Sequence, residues 1–262
     1  MDSLVNNKEY YKFKNKIIVI TGASSGLGLE ITKHFSNFDS KIIVCSRNIS
    51  KLKKIFKKKK NIFCKKVNVA CPYEIKKFID FVLKKFKKID ILINNAAITK
   101  NIEVEKLDYK SLRQIFKINL FAPFTFVKYS LPIMKKNNFG RIINISSGGS
   151  VNCAPGYAAY SASKAGLNTL TKSLFNELGK FNIKVNTMSP GSIKTKMFPR
   201  NLLSPSLCLP TLKYLCTLKK NGPSGKFFWF MKEIKIIPKL NINWNKPVKN
   251  DFKKKIFFHS KF

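Results

Sequence analysis

Acidic residues are scarce in this chain: 13 aspartates and glutamates stand against 51 lysines and arginines in 262 residues, a formal net charge of +38. Histidine is scarcer still, with only His34 and His259. The six cysteines (Cys45, Cys64, Cys71, Cys153, Cys208, Cys216) show neither C-x-x-C nor zinc-finger spacing, so no metal site is expected and the thiols read as reduced. No uninterrupted apolar stretch approaches the length needed to span a bilayer. The first sixteen residues, MDSLVNNKEYYKFKNK, lack the apolar core of a secretory leader. The expectation is a cytoplasmic protein. No well-placed histidine is present, which argues against the common serine hydrolase arrangement.

The charge itself has two readings. A basic chain invites binding of nucleic acid or an anionic membrane. Here, however, the lysines are spread along the whole chain, with Lys57 to Lys60 the longest run, and they rise together with Ile, Asn and Phe. An AT-rich coding sequence produces that joint bias with no functional demand. Nonspecific, salt-sensitive electrostatic binding follows in either case.

What is present is order. Hydrophobic content of 44% is ample for a core at this length. Short apolar runs at Lys16–Thr21, Lys41–Cys45, Asn61–Val69, Ile89–Asn94, Arg141–Ile145, Lys184–Met188 and Lys226–Phe230 alternate with helix-period segments. Between Tyr73 and Lys88, for example, Ile75, Phe78, Ile79, Val82 and Phe86 mark one helical face. The alternation predicts an α/β fold, a Rossmann-like doubly wound parallel sheet of about seven strands with helices on both faces. The chain reads as a single domain, 1–262, with an N-terminal extension (1–13), a substrate-side loop and helix (197–220) and a patternless C-terminal tail (241–262).

Two motifs carry chemistry. In KIIVITGASSGLGLE, the run Ile17 to Ile20 is followed by Thr21-Gly22-Ala23-Ser24-Ser25-Gly26-Leu27-Gly28 and then a helical pattern. A strand, a glycine turn and a helix N-terminus let backbone N–H groups approach a pyrophosphate, whose charge the helix dipole favours. The spacing is G-x-x-x-G-x-G rather than the common G-x-G-x-x-G. The second motif is Tyr160 and Lys164, one helical turn apart on one face, with Ser147 upstream. A neighbouring ammonium favours the phenolate; a pKa lowered by about two corresponds to roughly 3 kcal/mol of differential interaction.

These residues resemble the short-chain dehydrogenase/reductase family over about residues 14–235. The other blocks follow in order: Asn94-Asn95-Ala96-Ala97, Asn119, Ile145-Ser146-Ser147, Tyr160-Ser161-Ala162-Ser163-Lys164 and Ser189-Pro190-Gly191. The resemblance implies hydride transfer between a nicotinamide and a carbonyl or secondary alcohol. Tyr160 would be general acid or base, Ser147 would bind the reacting oxygen, and Lys164 would tune the tyrosine and hold the ribose. It also implies a dinucleotide held by Gly22, Ser24, Ser25, Gly26, Leu27 and Gly28, then by Asn68, Val69, Asn94 and Ala96, and by Pro190, Gly191, Ile193 and Thr195, with Asn95 as a structural turn residue.

Ser46 and Arg47 stand where an acidic residue would select the NAD ribose, and Arg47 can pair bidentately with a 2′-phosphate. NADP(H) is therefore preferred over NAD(H). Pro123, four residues after Asn119, removes the helical donor for the Asn119 carbonyl, which could then hold a water relaying protons to Lys164. Tyr157 lacks a lysine four residues on. The Asp-Gly-Gly ending of many members is absent, which weakens a direct transfer of the 3-oxoacyl-carrier-protein substrate. Ser150–Ala158 and Met197–Leu212 should line the substrate cleft and suit a small or lipophilic carbonyl. The alternatives are a sensor or scaffold that binds NADP(H) with little turnover, and a reductase with an added nucleic-acid or membrane role. Apolar excess on the helices carrying Asn119 and Tyr160 (Phe121, Phe124, Phe126, Val127; Leu167, Leu170, Leu174, Phe175) predicts a homodimer or homotetramer.

Overall fold

The computed structural model describes residues 12–236. Seven strands lie parallel in the order β3-β2-β1-β4-β5-β6-β7, and an eighth closes the edge antiparallel. They are β1 (Lys16–Thr21), β2 (Ser40–Ser46), β3 (Ile62–Lys66), β4 (Ile91–Asn94), β5 (Gly140–Ile145), β6 (Ile183–Ser189), β7 (Phe227–Trp229) and β8 (Lys232–Ile234). The order reverses direction at β1 and β4, and ligands of such sheets sit outside the strands' carboxyl ends at that crevice.

The continuous β-branched runs exist because both faces of the sheet are covered. Ile18, Ile20, Ile42 and Val44 pack on one side with α1 (Gly26–Phe35) and α2 (Ile49–Ile55). Ile17, Val19, Ile43 and Cys45 pack on the other with α3 (Pro72–Phe86). That second face is completed by α5 (Ala122–Lys136), which follows α4 (Tyr109–Phe116), and by α7 (Ala158–Glu177), which follows the single turn α6 (Gly149–Asn152). On the first face, α8 (Leu209–Cys216) inserts Leu212 and Leu215. Each such isoleucine or leucine, fully buried, contributes about 1.5–3 kcal/mol.

α3 shows the local logic. Pro72 starts it where a missing N–H costs nothing, Ile75, Phe78, Ile79 and Val82 face the core, and Lys87 ends it in the left-handed region at φ 63°. At the opposite end of the sheet from the glycine turn, Arg141 is 1% exposed, with its guanidinium donating to the carbonyls of Leu218, Gly140 and Asn182. Burial pushes its pKa down to about 10. The carbonyl cage keeps a buried cation tolerable where acids are scarce.

Three expectations need correction. The extension ends before Phe13, which is buried against Phe35 and Phe38 at ring distances of 5.0 and 4.8 Å. The third strand stops at Lys66, because the Asn68 N–H turns away to the Glu74 carboxylate (2.8 Å). The sheet has an eighth strand that a run of only three residues did not announce. Residues 1–11 and the tail at 241–262 lie outside the described residues. No helix among the described residues is long and apolar enough to cross a membrane.

Candidate active site

The glycine turn is held from below. The Thr21 hydroxyl accepts the N–H groups of Asn95 (3.0 Å) and Ala96 (2.9 Å), and the Asn95 amide donates back to the carbonyls of Thr21 (2.9 Å) and Gly22 (3.3 Å). β1 and β4 are thus stitched together just past their ends. A Cβ at Gly28 would lie 2.4 Å from both the Gly22 carbonyl oxygen and the Asn95 amide nitrogen. Glycine there is a requirement of packing. Ser25 caps α1 without any side-chain hydrogen bond, and the first turn of that helix carries no acidic residue. Its N–H groups and dipole are free for an anion, which is the fit a dinucleotide pyrophosphate needs.

These residues floor a cleft of about 270 Å³. It is lined by Gly22, Ser24, Ser25, Gly26, Leu27 and Gly28, by Arg47 at the end of β2, and by Asn68, Val69 and Ala96. Ser147, Tyr160 and Lys164 close it on the far side, with Pro190, Gly191, Ile193 and Thr195 above. A hydrogen bond between Ser46 and Ser24 (3.0 Å) ties the Arg47 turn to the glycine turn. Arg47 itself is exposed, and none of the described residues lining the cleft is acidic.

Asn94 is the exception among the expected binding residues. It is 2% exposed and does not line the cleft. It sits in register with Asn144 of β5 and donates to that side chain at 2.8 Å, and Asn144 donates on to Thr171 of α7. A side chain still inside the strand ladder points into the sheet face, whereas its successor has left it. Asn95 acts as the turn residue expected. Asn68 lines the cleft, with one lone pair of its amide oxygen already accepting the Ala70 N–H (3.1 Å).

A second cleft of about 590 Å³ opens beside the first and shares Ser147, Tyr160, Gly191 and Phe198 with it. Tyr160 therefore stands at the junction. Ser147 and the Tyr160 side chain are neighbours with Gly149 packed against both: a Cβ there would lie 3.4 Å from Ser147 Oγ and 3.6 Å from Tyr160 Cε1. Ser147, rather than Ser146 or Ser150, stands beside the phenol. Ser146 turns its hydroxyl to the Lys164 carbonyl, and Ser150 donates to the Ser147 carbonyl.

The expected lowering of the Tyr160 pKa is not found; it is raised, because burial outweighs the Ser147 hydrogen bond. No hydrogen bond joins Lys164 to the phenol. Its Nζ donates to the Ile145 carbonyl at 2.6 Å and lies 5.9 Å from the centre of the Tyr160 ring. Burial pushes Lys164 itself down to about 7. Two groups desolvated together with no anion beside them both favour their neutral forms.

Asn119 also differs in detail. Lys117–Phe121 forms a π turn, with the Ala122 N–H bonded to the Lys117 carbonyl. In that register the carbonyl facing Pro123 is that of Ile118. The Asn119 side chain is fully buried. It donates to the Ile98 carbonyl (2.9 Å) and Ser163 (3.0 Å) and accepts the Ile98 N–H (2.9 Å). It braces the strand-end loop and α7 against each other, one residue from Lys164.

Sequence reasoning missed Thr21, legible only as the residue before the first glycine. Within the expected Met197–Leu212 segment it did not single out Phe198, whose ring meets Tyr160 at 6.4 Å and Tyr157 at 6.2 Å. Of the expected substrate segments, Val151, Asn152, Ala154 and Tyr157 line the second cleft, as do Phe198 and Asn201. α8 faces the core instead.

Comparison with known proteins agrees with this geometry. The family model described as short chain dehydrogenase matches residues 16–203. An uncharacterized oxidoreductase of Bacillus subtilis is 32% identical over 73% of this chain and 76% of its own length. A 3-oxoacyl-[acyl-carrier-protein] reductase of Rickettsia conorii is 38% identical over 70% and 74%, and one of Buchnera aphidicola is 37% identical over 80% and 87%. A match over most of the chain, joined to this strand order and this pair of clefts, has one reading: the chain belongs to the short-chain dehydrogenase family and is an oxidoreductase acting on CH–OH and C=O groups with a nicotinamide dinucleotide.

Proposed function

We propose that this chain reduces carbonyl substrates with NADPH, or oxidises the alcohols in reverse, using Tyr160 as the proton donor and acceptor. The observation that carries the reading is the Ser147–Tyr160 pair standing where the two clefts meet. When bound, the nicotinamide supplies the hydride. The rest falls to the chain. Ser147 orients the reacting oxygen and stabilises the charge developing on it. Tyr160, kept neutral by burial, is poised to give its proton to that oxygen. Lys164 and Asn119 act as positioning residues behind it. Lys164 is held to the end of β5 through the Ile145 carbonyl, and Asn119 holds the helix that carries both.

NADP(H) is favoured over NAD(H) by Arg47 and by the lack of an acidic residue among the described residues lining the first cleft. A 3-oxoacyl thioester is the narrower substrate reading, supported by the names of the Rickettsia and Buchnera relatives. Assembly with a second copy is supported by Phe121 and Phe124, 54% and 52% exposed on adjacent turns, whereas Phe126, Val127, Leu167 and Leu174 are consumed by the chain's own core. The test of function is NADPH oxidation, followed at 340 nm, against a panel of 3-oxoacyl esters, ketones and aldehydes. Saturable binding of NADPH without oxidation by any of them would support a sensor instead.

A further inference from the structure

The second cleft differs from the rest of this molecule in charge. In a chain of net charge +38, none of the sixteen described residues that line it is Lys, Arg, His, Asp or Glu. Its wall comes from the last hairpin of the sheet, β7–β8. Side chains alternate along β7: Phe228 enters the core, while Phe227 and Trp229 face the cleft, joined by Ile234 from β8. Trp229 remains 47% exposed at that wall.

The hairpin is made at a cost. Its two turn residues, Phe230 and Met231, have φ of 41° and 66°, where Asn-Gly is preferred and a bulky side chain is strained. Such strain persists only where surroundings impose it. The Met231 N–H is tied to the Thr211 hydroxyl of α8 at 2.9 Å, and the Phe230 ring packs on Gly191. A Cβ at Gly191 would lie 2.8 Å from Phe230 and 3.0 Å from the Trp229 indole nitrogen. Gly191 lines both clefts, so the indole is seated against the loop that separates them.

We infer that Trp229 is a specificity-determining residue, the wall against which an uncharged, apolar chain flanking the substrate carbonyl packs. The inference rests on the reductase reading for the identity of the carbonyl. It does not rest on it for the ligand class, which follows from the lining alone. Burying an aromatic face against an alkyl chain gains with each methylene, while a carboxylate there would find no cation among the described lining residues to pair with.

The experiment uses the full chain saturated with NADP⁺, which cannot reduce a ketone, and titrates ethyl 3-oxooctanoate, ethyl acetoacetate and the 3-oxooctanoate anion by calorimetry. Ethyl 3-oxooctanoate should bind at least about tenfold more tightly than either other probe, and Trp229→Ala should erase most of its advantage over ethyl acetoacetate while Trp229→Phe retains it. NADP⁺ affinity, measured on each variant, should stay within about twofold and reports intact folding. With NADPH, the same loss should fall on KM rather than kcat. Preference for the carboxylate, or a chain-length preference unchanged in Trp229→Ala, overturns the inference and leaves the reductase reading standing. Trp229-dependent ester binding without any NADPH oxidation supports the inference and sinks the reductase reading.

Discussion

The first cleft is floored by backbone, whereas the second is walled by rings. In the first, glycines bring main-chain atoms within touching distance, and Thr21 and Asn95 lock the turn with four hydrogen bonds. In the second, Tyr157, Phe198, Phe227 and Trp229 converge from segments up to 72 residues apart, and no such lattice joins them. Main chain offers the same donors whatever the sequence around it, so a backbone-built site suits a ligand common to a whole family. A side-chain wall can be changed one residue at a time. Tyr160 belongs to both, and substitutions can test how separate the two really are.

The largest effect is expected at the junction itself. Tyr160→Phe removes only the proton donor, so turnover should fall by about 10²–10⁴-fold. NADPH affinity, from fluorescence titration, should stay within a few fold. Residual activity above about a hundredth of the parent would take the general-acid role away from Tyr160.

Arg47→Asp acts at the far end of the first cleft alone. Loss of a charge-assisted pair, about 1.5–3 kcal/mol, should cut NADPH preference over NADH by about 10–100-fold, and added repulsion should carry it further. An unchanged affinity ratio would show that the 2′-phosphate is read elsewhere.

Gly28→Ala should damage the backbone lattice. The new methyl meets a carbonyl oxygen, which cannot move as a flexible side chain would, so a loss of about 1–3 kcal/mol is expected in denaturant melts, with weakened cofactor binding. Chain-length selectivity of any remaining turnover should be untouched if the two clefts are independent.

Lys164 gives a smaller effect that depends on pH. Its pKa is about 7 in the fold and near 10.5 when unfolded, so between those values the unfolded chain holds the extra proton. Stability from this group therefore rises as pH climbs from 7 towards 10.5, and the full penalty is present below 7. Thermal melts of Lys164→Met should gain on the parent at pH 6 and lose ground at pH 9. A pH-independent difference would mean that the buried amine does not titrate in this range.

The smallest expected effect concerns assembly. Replacing Phe121 and Phe124 with serine should shift sedimentation towards monomer while leaving both clefts intact, and raising salt should strengthen association of the parent by screening like charges. A parent that sediments as a monomer at micromolar concentration in physiological salt would assign those rings to another partner.

The sequence by itself determined the sheet and the floor of the first cleft. β1 was legible to the residue, because both-face burial demands an unbroken β-branched run and the glycines that follow tolerate no substitute where backbones touch. Tyr160 and Lys164 were legible as one face of a helix, and Ser147 through the resemblance to the family pattern. Only the tertiary structure decided the rest. Asn94 faces the core and Asn95 the turn because the ladder ends between them. The tyrosine and lysine are both driven toward neutrality because burial depends on everything packed around them, not on their being four residues apart. The hairpin that brings Trp229 to the second cleft hangs on contacts with Gly191 and Thr211, 38 and 20 residues away from Trp229 and Met231. Desolvation and long-range contact leave no periodic signal in a chain, and so they become visible only once it has folded.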